Sequence, residues 1–155
     1  MLIKKYSIII LFFLLLHSCG YSPIYSKNQK IDFFIESIEL VGDNELKNFI
    51  NINLNNYSLK DNSKAFKIYG SINYQKNSIS KNITGEIDEY NLVAEALFTI
   101  EIKDNKKILR INEKNIMNNF TDEFEELRYE TIIKQNMAKS ITSKLLLQLS
   151  KFNAN

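Results

Sequence analysis

The 155-residue chain contains one thiol, Cys19, and one imidazole, His17. Both stand directly after an unbroken apolar run from Ile8 to Leu16, and Lys4 and Lys5 precede that run. Two cations followed by such a run are the charged and hydrophobic regions of an export signal. A helix needs about 20 apolar residues to cross the hydrocarbon core, so this run targets the chain and does not span. The chemistry open to a thiol at its end is acylation.

Leu16-His17-Ser18-Cys19 resembles the bacterial lipobox, in which a branched apolar residue and small residues precede a cysteine that is lipidated and becomes the first mature residue. His17 departs from the usual small residue. An incidental cysteine after an ordinary signal peptide and an uncleaved short anchor are the competing readings. A cysteine placed by chance rarely falls at the end of an apolar run, which favours the lipid. No second cysteine exists for a disulfide, even in an oxidising compartment. One acyl chain binds a membrane only marginally, so durable anchoring implies more than one chain, palmitate among them.

Cleavage before Cys19 has consequences for the rest. It removes His17, and acylation consumes the thiol, so Ser-His-Asp triads, Cys-His pairs and Cys or His zinc sites are closed to the mature chain. No catalytic residue, metal site or cofactor is expected. Gly20, Gly42, Gly70 and Gly85 stand too far apart to cradle a phosphate. A hydrolase working through carboxylates alone stays open, although the acids sit where a solvated strand or a helix N-terminus would place them. The 20 Lys and Arg of the whole chain lose Lys4 and Lys5 and then match its 18 Asp and Glu. A neutral chain argues against nucleic acid as a partner.

The sequence divides into a signal peptide over 1–18, a lipidated tether over 19–30 around Pro23, and a single domain over 31–155. Ile31, Phe33 and Ile35 alternate with Asp32, Phe34 and Glu36, then Ile38 and Leu40 continue in the other phase. That pattern predicts a strand with a slip or bulge near Ser37. Asp43 or Asn44 can cap a short helix whose apolar positions are Leu46, Phe49, Ile50, Leu54 and Tyr57. Phe66, Ile68, Gly70, Ile72 and Tyr74 mark the next strand by strict alternation. Residues 77–85 read as a loop, followed by a long alternating strand from Tyr90 to Ile102. Lys103-Asp104-Asn105-Lys106 closes a tight hairpin into Ile108–Phe120, where neither phase is cleanly apolar and a bulge or exposure of both faces is expected. Asp122 with Glu125 resembles a capping box for a helix of roughly 45 Å, striped by Ile133, Met137, Ile141, Leu145 and Leu149. The expected architecture is α+β, a two-layer sandwich: two helices on one face of a four-stranded, mainly antiparallel sheet, in the order β-α-β-β-β-α. The other sheet face, polar and small, is left for a partner or ligand.

Cys19-Gly20-Tyr21-x-Pro23-x-Tyr25 resembles the start of mature LptE, the lipopolysaccharide-assembly lipoprotein family of Gram-negative outer membranes. Gly85-Glu86-Ile87-Asp88-Glu89-Tyr90-Asn91-Leu92, opening the long strand, is similar to the same family, as is the order of elements. The resemblance implies a chain lipid-anchored on the periplasmic side of the outer membrane. It would plug the lumen of the barrel LptD, assist its assembly and help deliver lipopolysaccharide to the outer leaflet. Gly20, beside the lipidated cysteine, is compatible with outer-membrane sorting. Lipopolysaccharide contact requires cations facing lipid phosphates; Lys81, Arg128 and Lys134 are the candidates, each weighed against the plain reading of a solvated side chain. A lipid-binding auxiliary lipoprotein of a transport system, facing the periplasm without a barrel partner, is the alternative.

Overall fold

A computed structural model of the chain describes residues 33–58, 64–103 and 105–153. The signal peptide, the tether and Cys19 lie outside the described residues. Strand β1 (Phe33–Gly42) leads into helix α1 (Asn44–Leu54), which a 3-10 turn at Asn55–Tyr57 ends. Strands β2 (Lys64–Lys81), β3 (Ile87–Ile102) and β4 (Asn105–Asn118) follow, and helix α2 (Glu123–Asn153) closes the chain. The four strands form one sheet in the order β1-β2-β3-β4. β1 runs parallel to β2, as a helical crossover between them requires, and the other two pairings are antiparallel.

The strand alternation places Phe66, Ile68 and Ile72 of β2 and Leu92, Ala94, Ala96, Phe98 and Ile100 of β3 on one buried face. The stripe of α2 and the residues Leu46, Ile50 and Leu54 of α1 cover that face, as the sequence predicts. A small residue in β2 makes room for its neighbours in the sheet. A Cβ at Gly70 would lie 2.6 Å from Leu40 Cδ2 and 2.8 Å from Phe98 Cδ1, so the missing side chain makes room for the Phe98 ring. The change of phase in β1 is a register shift between Ile35 and Ser37. It returns Ile38 and Leu40 to the core side after Ile35.

Gly42 turns β1 into α1. Its φ is 109°, and a Cβ there would lie 1.9 Å from the carbonyl oxygen of Ile72. The next amide, Asp43, donates to that same oxygen at 3.0 Å. Asp43 is the cap of α1, its side chain accepting from Leu46 N at 2.9 Å.

Two local expectations are revised, and in β4 one of two stated alternatives holds. Most of the expected loop at 77–85 is strand: β2 continues to Lys81 through register irregularities around Ser80, and the turn is confined to Asn82–Glu86. Asn82 Oδ1 organises it by accepting from the amides of Thr84 and Glu86 at 3.0 and 2.9 Å. β4 contains no bulge; its register with β3 is unbroken from Glu89–Asn118 to Ile102–Asn105. Its mixed pattern reflects exposure instead, since Ile108 and Ile116 point away from the core while Ile111 and Met117 are buried. Glu113 faces the core side of this edge strand and is satisfied by Ser140 Oγ and Lys144 Nζ, each at 2.7 Å. At the start of α2, Asp122 caps through Phe124 N at 2.8 Å. Glu125 does not complete a box: it pairs with Arg128, while Glu126 accepts from Phe120 N at 3.4 Å.

Candidate functional site

Neither helix in the described part is long and apolar enough to cross a membrane, and no group of three or more metal-ligating side chains gathers among the described residues. Two features distinguish the domain: a polar cluster held between helix and sheet, and a sheet face that no helix covers.

The cluster is built by alternation on β2 meeting the four-residue repeat of α2. Tyr74 and Lys76 share the core-side face of β2, and Glu126, Glu130 and Lys134 follow one another at four-residue spacing on α2. Tyr74 donates to Glu130 Oε1 at 2.9 Å. Lys76 Nζ lies 2.6 Å from Glu126 and 2.9 Å from Glu130. Lys134 Nζ lies 2.6 Å from Glu45 of α1, 3.6 Å from Glu130 and 4.0 Å from Asp43. Each ammonium also rests over a ring, Lys134 over Tyr74 at 4.3 Å and Lys76 over Tyr90 at 4.4 Å. The cluster therefore joins both helices to the second and third strands.

Burial disfavours every charge in this cluster, and the partners overrule it. The Lys76 and Lys134 ammoniums are held above the ordinary lysine value despite desolvation, by the carboxylates of Glu126, Glu130 and Glu45. Glu130 is held below the usual carboxylate value, because hydrogen bonds from Lys76 and Tyr74 outweigh its burial. The Tyr74 phenol is pushed well above its ordinary value by burial and by its bond to Glu130, so it remains a donor. This arrangement holds charges still; it does not present a base to a nucleophile.

A pH dependence follows. Glu130, with its lowered pKa, contributes stability that is present above the unfolded value of 4.5 and is lost as pH falls through its folded value. The two lysines contribute below 10.5 and lose their share only as pH rises through their elevated values. Glu130→Gln keeps the shape and removes the charge, and is expected to cost about 2 kcal/mol at neutral pH. Unfolding by urea at pH 7 and at pH 3 measures it: the gap between wild type and variant should shrink at pH 3. A gap of equal size at both would contradict the role given to the charge.

The three cations singled out in the sequence are not brought together by any contact among the described residues. Lys134 is only 8 % exposed and is engaged by carboxylates. Arg128 is exposed and pairs with Glu125 at 2.7 Å. Lys81 is exposed at the end of β2, beside the Asn82 turn. Tyr74, Lys76, Glu45 and Glu130 were not anticipated as a group. The available signal was the coincidence of Tyr74 and Lys76 on one strand parity with a Glu-Glu-Lys ladder on a helix.

The face of the sheet away from the helices is uncovered among the described residues. Ser71, Asn73 and Gln75 of β2 run beside Glu95 of β3 and Arg110 and Asn112 of β4, all exposed. Leu97, Ile108 and Ile116 are exposed among them, Ile108 by 68 %. The face is thus less uniformly polar than the sequence suggested.

No family model matches this chain, and no curated protein matches it either. Solved structures do. Rare lipoprotein B from Shewanella oneidensis matches with a TM-score of 0.55 at 15 % identity, covering 77 % of this chain and 97 % of that one. A minor lipoprotein from Acinetobacter baumannii gives 0.54 at 16 %, over 76 % and 94 %. A lipoprotein B from Nitrosomonas europaea gives 0.59 at 14 %, over 84 % and 92 %. At these identities the likeness is one of fold.

Proposed function

We propose that the chain is a non-catalytic lipoprotein of the outer membrane, acylated at Cys19, which works as LptE does: seated in the lumen of an LptD barrel, assisting its assembly and the delivery of lipopolysaccharide. The observation that carries this reading is the uncovered sheet face. Rows of Ser, Asn and Gln interleaved with Leu97, Ile108 and Ile116 suit docking against the polar inner wall of a barrel, with a few apolar anchors. The likeness to three proteins titled lipoproteins supports the same reading, as does the lipobox at Cys19. Lys81 and Arg128 are the exposed cations available to a lipid phosphate; Lys134 reaches one only where Glu45 gives way.

The test is affinity isolation from detergent-solubilised outer membrane. A stoichiometric partner of barrel size is expected, and Leu97→Glu with Ile108→Glu should abolish it while leaving the exposed-face variant folded. Isolation as a free monomer carrying lipid would instead favour the auxiliary carrier, and turnover abolished by one Asp or Glu substitution would favour an enzyme.

A further inference from the structure

We infer that the outer edge of β4 is a strand-addition site, which takes an extended acidic segment of the partner barrel as a fifth strand of the sheet. The inference rests on the barrel reading and says how that partner is gripped.

A sheet edge carries backbone donors and acceptors with no ladder partner. In the 14 residues of β4, about half of the amides and carbonyls are directed away from β3 in this way. No strand pairs with them among the described residues. The edge is about 45 Å long, it holds no proline, and its register with β3 is unbroken. The opposite edge differs: β1 has ten residues and is interrupted by the shift between Ile35 and Ser37. A bulge is one of the devices that close an edge to addition, and β4 lacks it.

Between this edge and α2 runs a shallow groove of about 260 Å³, lined by Lys144, Leu147 and Gln148 of the helix and by the strand from Leu109 to Asn112. Core-side Leu109 and outward Arg110 both line it, so the groove follows the edge of the strand and not one face. Half-buried Leu109 and exposed Leu147 are its accessible apolar side chains. Lys144 is already held by Glu113 at 2.7 Å. An added strand would direct every second side chain into this groove.

The remaining side chains of that strand would stand beside the outward face of β4, where the formal charge has one sign. Arg110 and Lys114 are exposed there, and neither pairs with a carboxylate among the described residues. β3 does not place an acid across from them: Leu97 lies opposite Arg110 and Val93 opposite Lys114, with Glu95 opposite Asn112 between them. Opposite charges directly across a strand pair stabilise it, and like charges destabilise it. The fifth strand therefore carries acids four residues apart, facing Arg110 and Lys114, and small or apolar residues at the alternate positions over the groove. Two copies of β4 paired about Asn112 would set Arg110 against Lys114 twice. The charges that accept an acidic strand thus turn away a second copy. A closed barrel wall has no free edge of its own, so the strand belongs to a connecting segment of the partner.

Hydrogen exchange of the full acylated protein, free in detergent and in the complex isolated with its barrel, tests this residue by residue. In the free protein every second amide along β4 should exchange fast. In the complex those same amides should slow by on the order of a hundredfold, so that the new protection has a period of two. Arg110→Glu with Lys114→Glu should weaken the complex on the order of tenfold, and raised salt should weaken that of the wild type. Exchange in the wild type decides the matter even should the variant fold poorly. A complex in which the fast amides of β4 stay fast would overturn the inference and leave the barrel reading standing, and so would affinity unchanged by the double reversal. Recovery of no barrel would overturn both. Protection that appears without the barrel and rises with protein concentration would give the edge to a second copy, and would overturn the inference too.

Discussion

Gly42→Ala is expected to lower the stability of the domain by about 3 kcal/mol or more, seen as a fall of roughly 10 °C or more in Tm. The cost has two sources. The residue adopts φ 109°, where an L side chain is strained. Its new methyl would also stand 1.9 Å from Ile72 O, an atom fixed by the sheet and already accepting from Asp43 N. The overlap can be relieved only by moving β1 away from β2 or by breaking the turn that places the Asp43 cap on α1. Gly85→Ala provides the control. That glycine also has a positive φ, 87°, but a Cβ there meets nothing within 4 Å. It should lose only the conformational share, about 1 kcal/mol. Thermal unfolding of the two variants separates strain from collision; equal losses would show that the approach of Gly42 to Ile72 is not what constrains the position.

Cys19→Ser carries the largest expected effect on location. Each buried methylene of an acyl chain contributes about 0.8 kcal/mol, so any Cys19→Ser chain freed of its signal should move from the membrane pellet to the soluble fraction almost completely, while unprocessed chain stays attached through the apolar run Ile8–Leu16. Intact mass should show the loss of the acyl groups together with failure of normal processing before residue 19. Attachment that persists should be confined to chain that still carries residues 1–18, as intact mass of the pellet fraction will show. A variant that stays membrane-bound at high salt and is cleaved as before would remove lipidation from the account.

Much of the fold was legible because burial on one side imposes periodicity. The alternation in Phe66–Tyr74 and Tyr90–Ile102, the four-residue stripe of α2 and even the phase change at Ser37 all reflect a single covered sheet face. Where that cause is absent, so is the signal. The far part of β2, from Asn77 to Lys81, is mostly exposed on both faces, and polar residues then fill both parities of what is still a strand. β4 is an edge whose outer face is open, so Ile108 and Ile116 mimic a bulge without one. The polar cluster was hidden for another reason. Lys134 reads as a surface cation until Glu45, 89 positions away in sequence, is brought to 2.6 Å by the crossing of two helices. Pairings of that separation depend on tertiary contact, not on local pattern.

Depletion of the chain in its own cell, while newly made lipopolysaccharide is followed to the surface, tests the proposed function most directly. The account predicts that surface arrival stalls, that lipopolysaccharide accumulates behind the outer membrane and that the partner barrel fails to reach its folded form. Restoring the wild-type chain should reverse all three. Unchanged arrival of lipopolysaccharide at the surface, with a normally folded barrel, would contradict it.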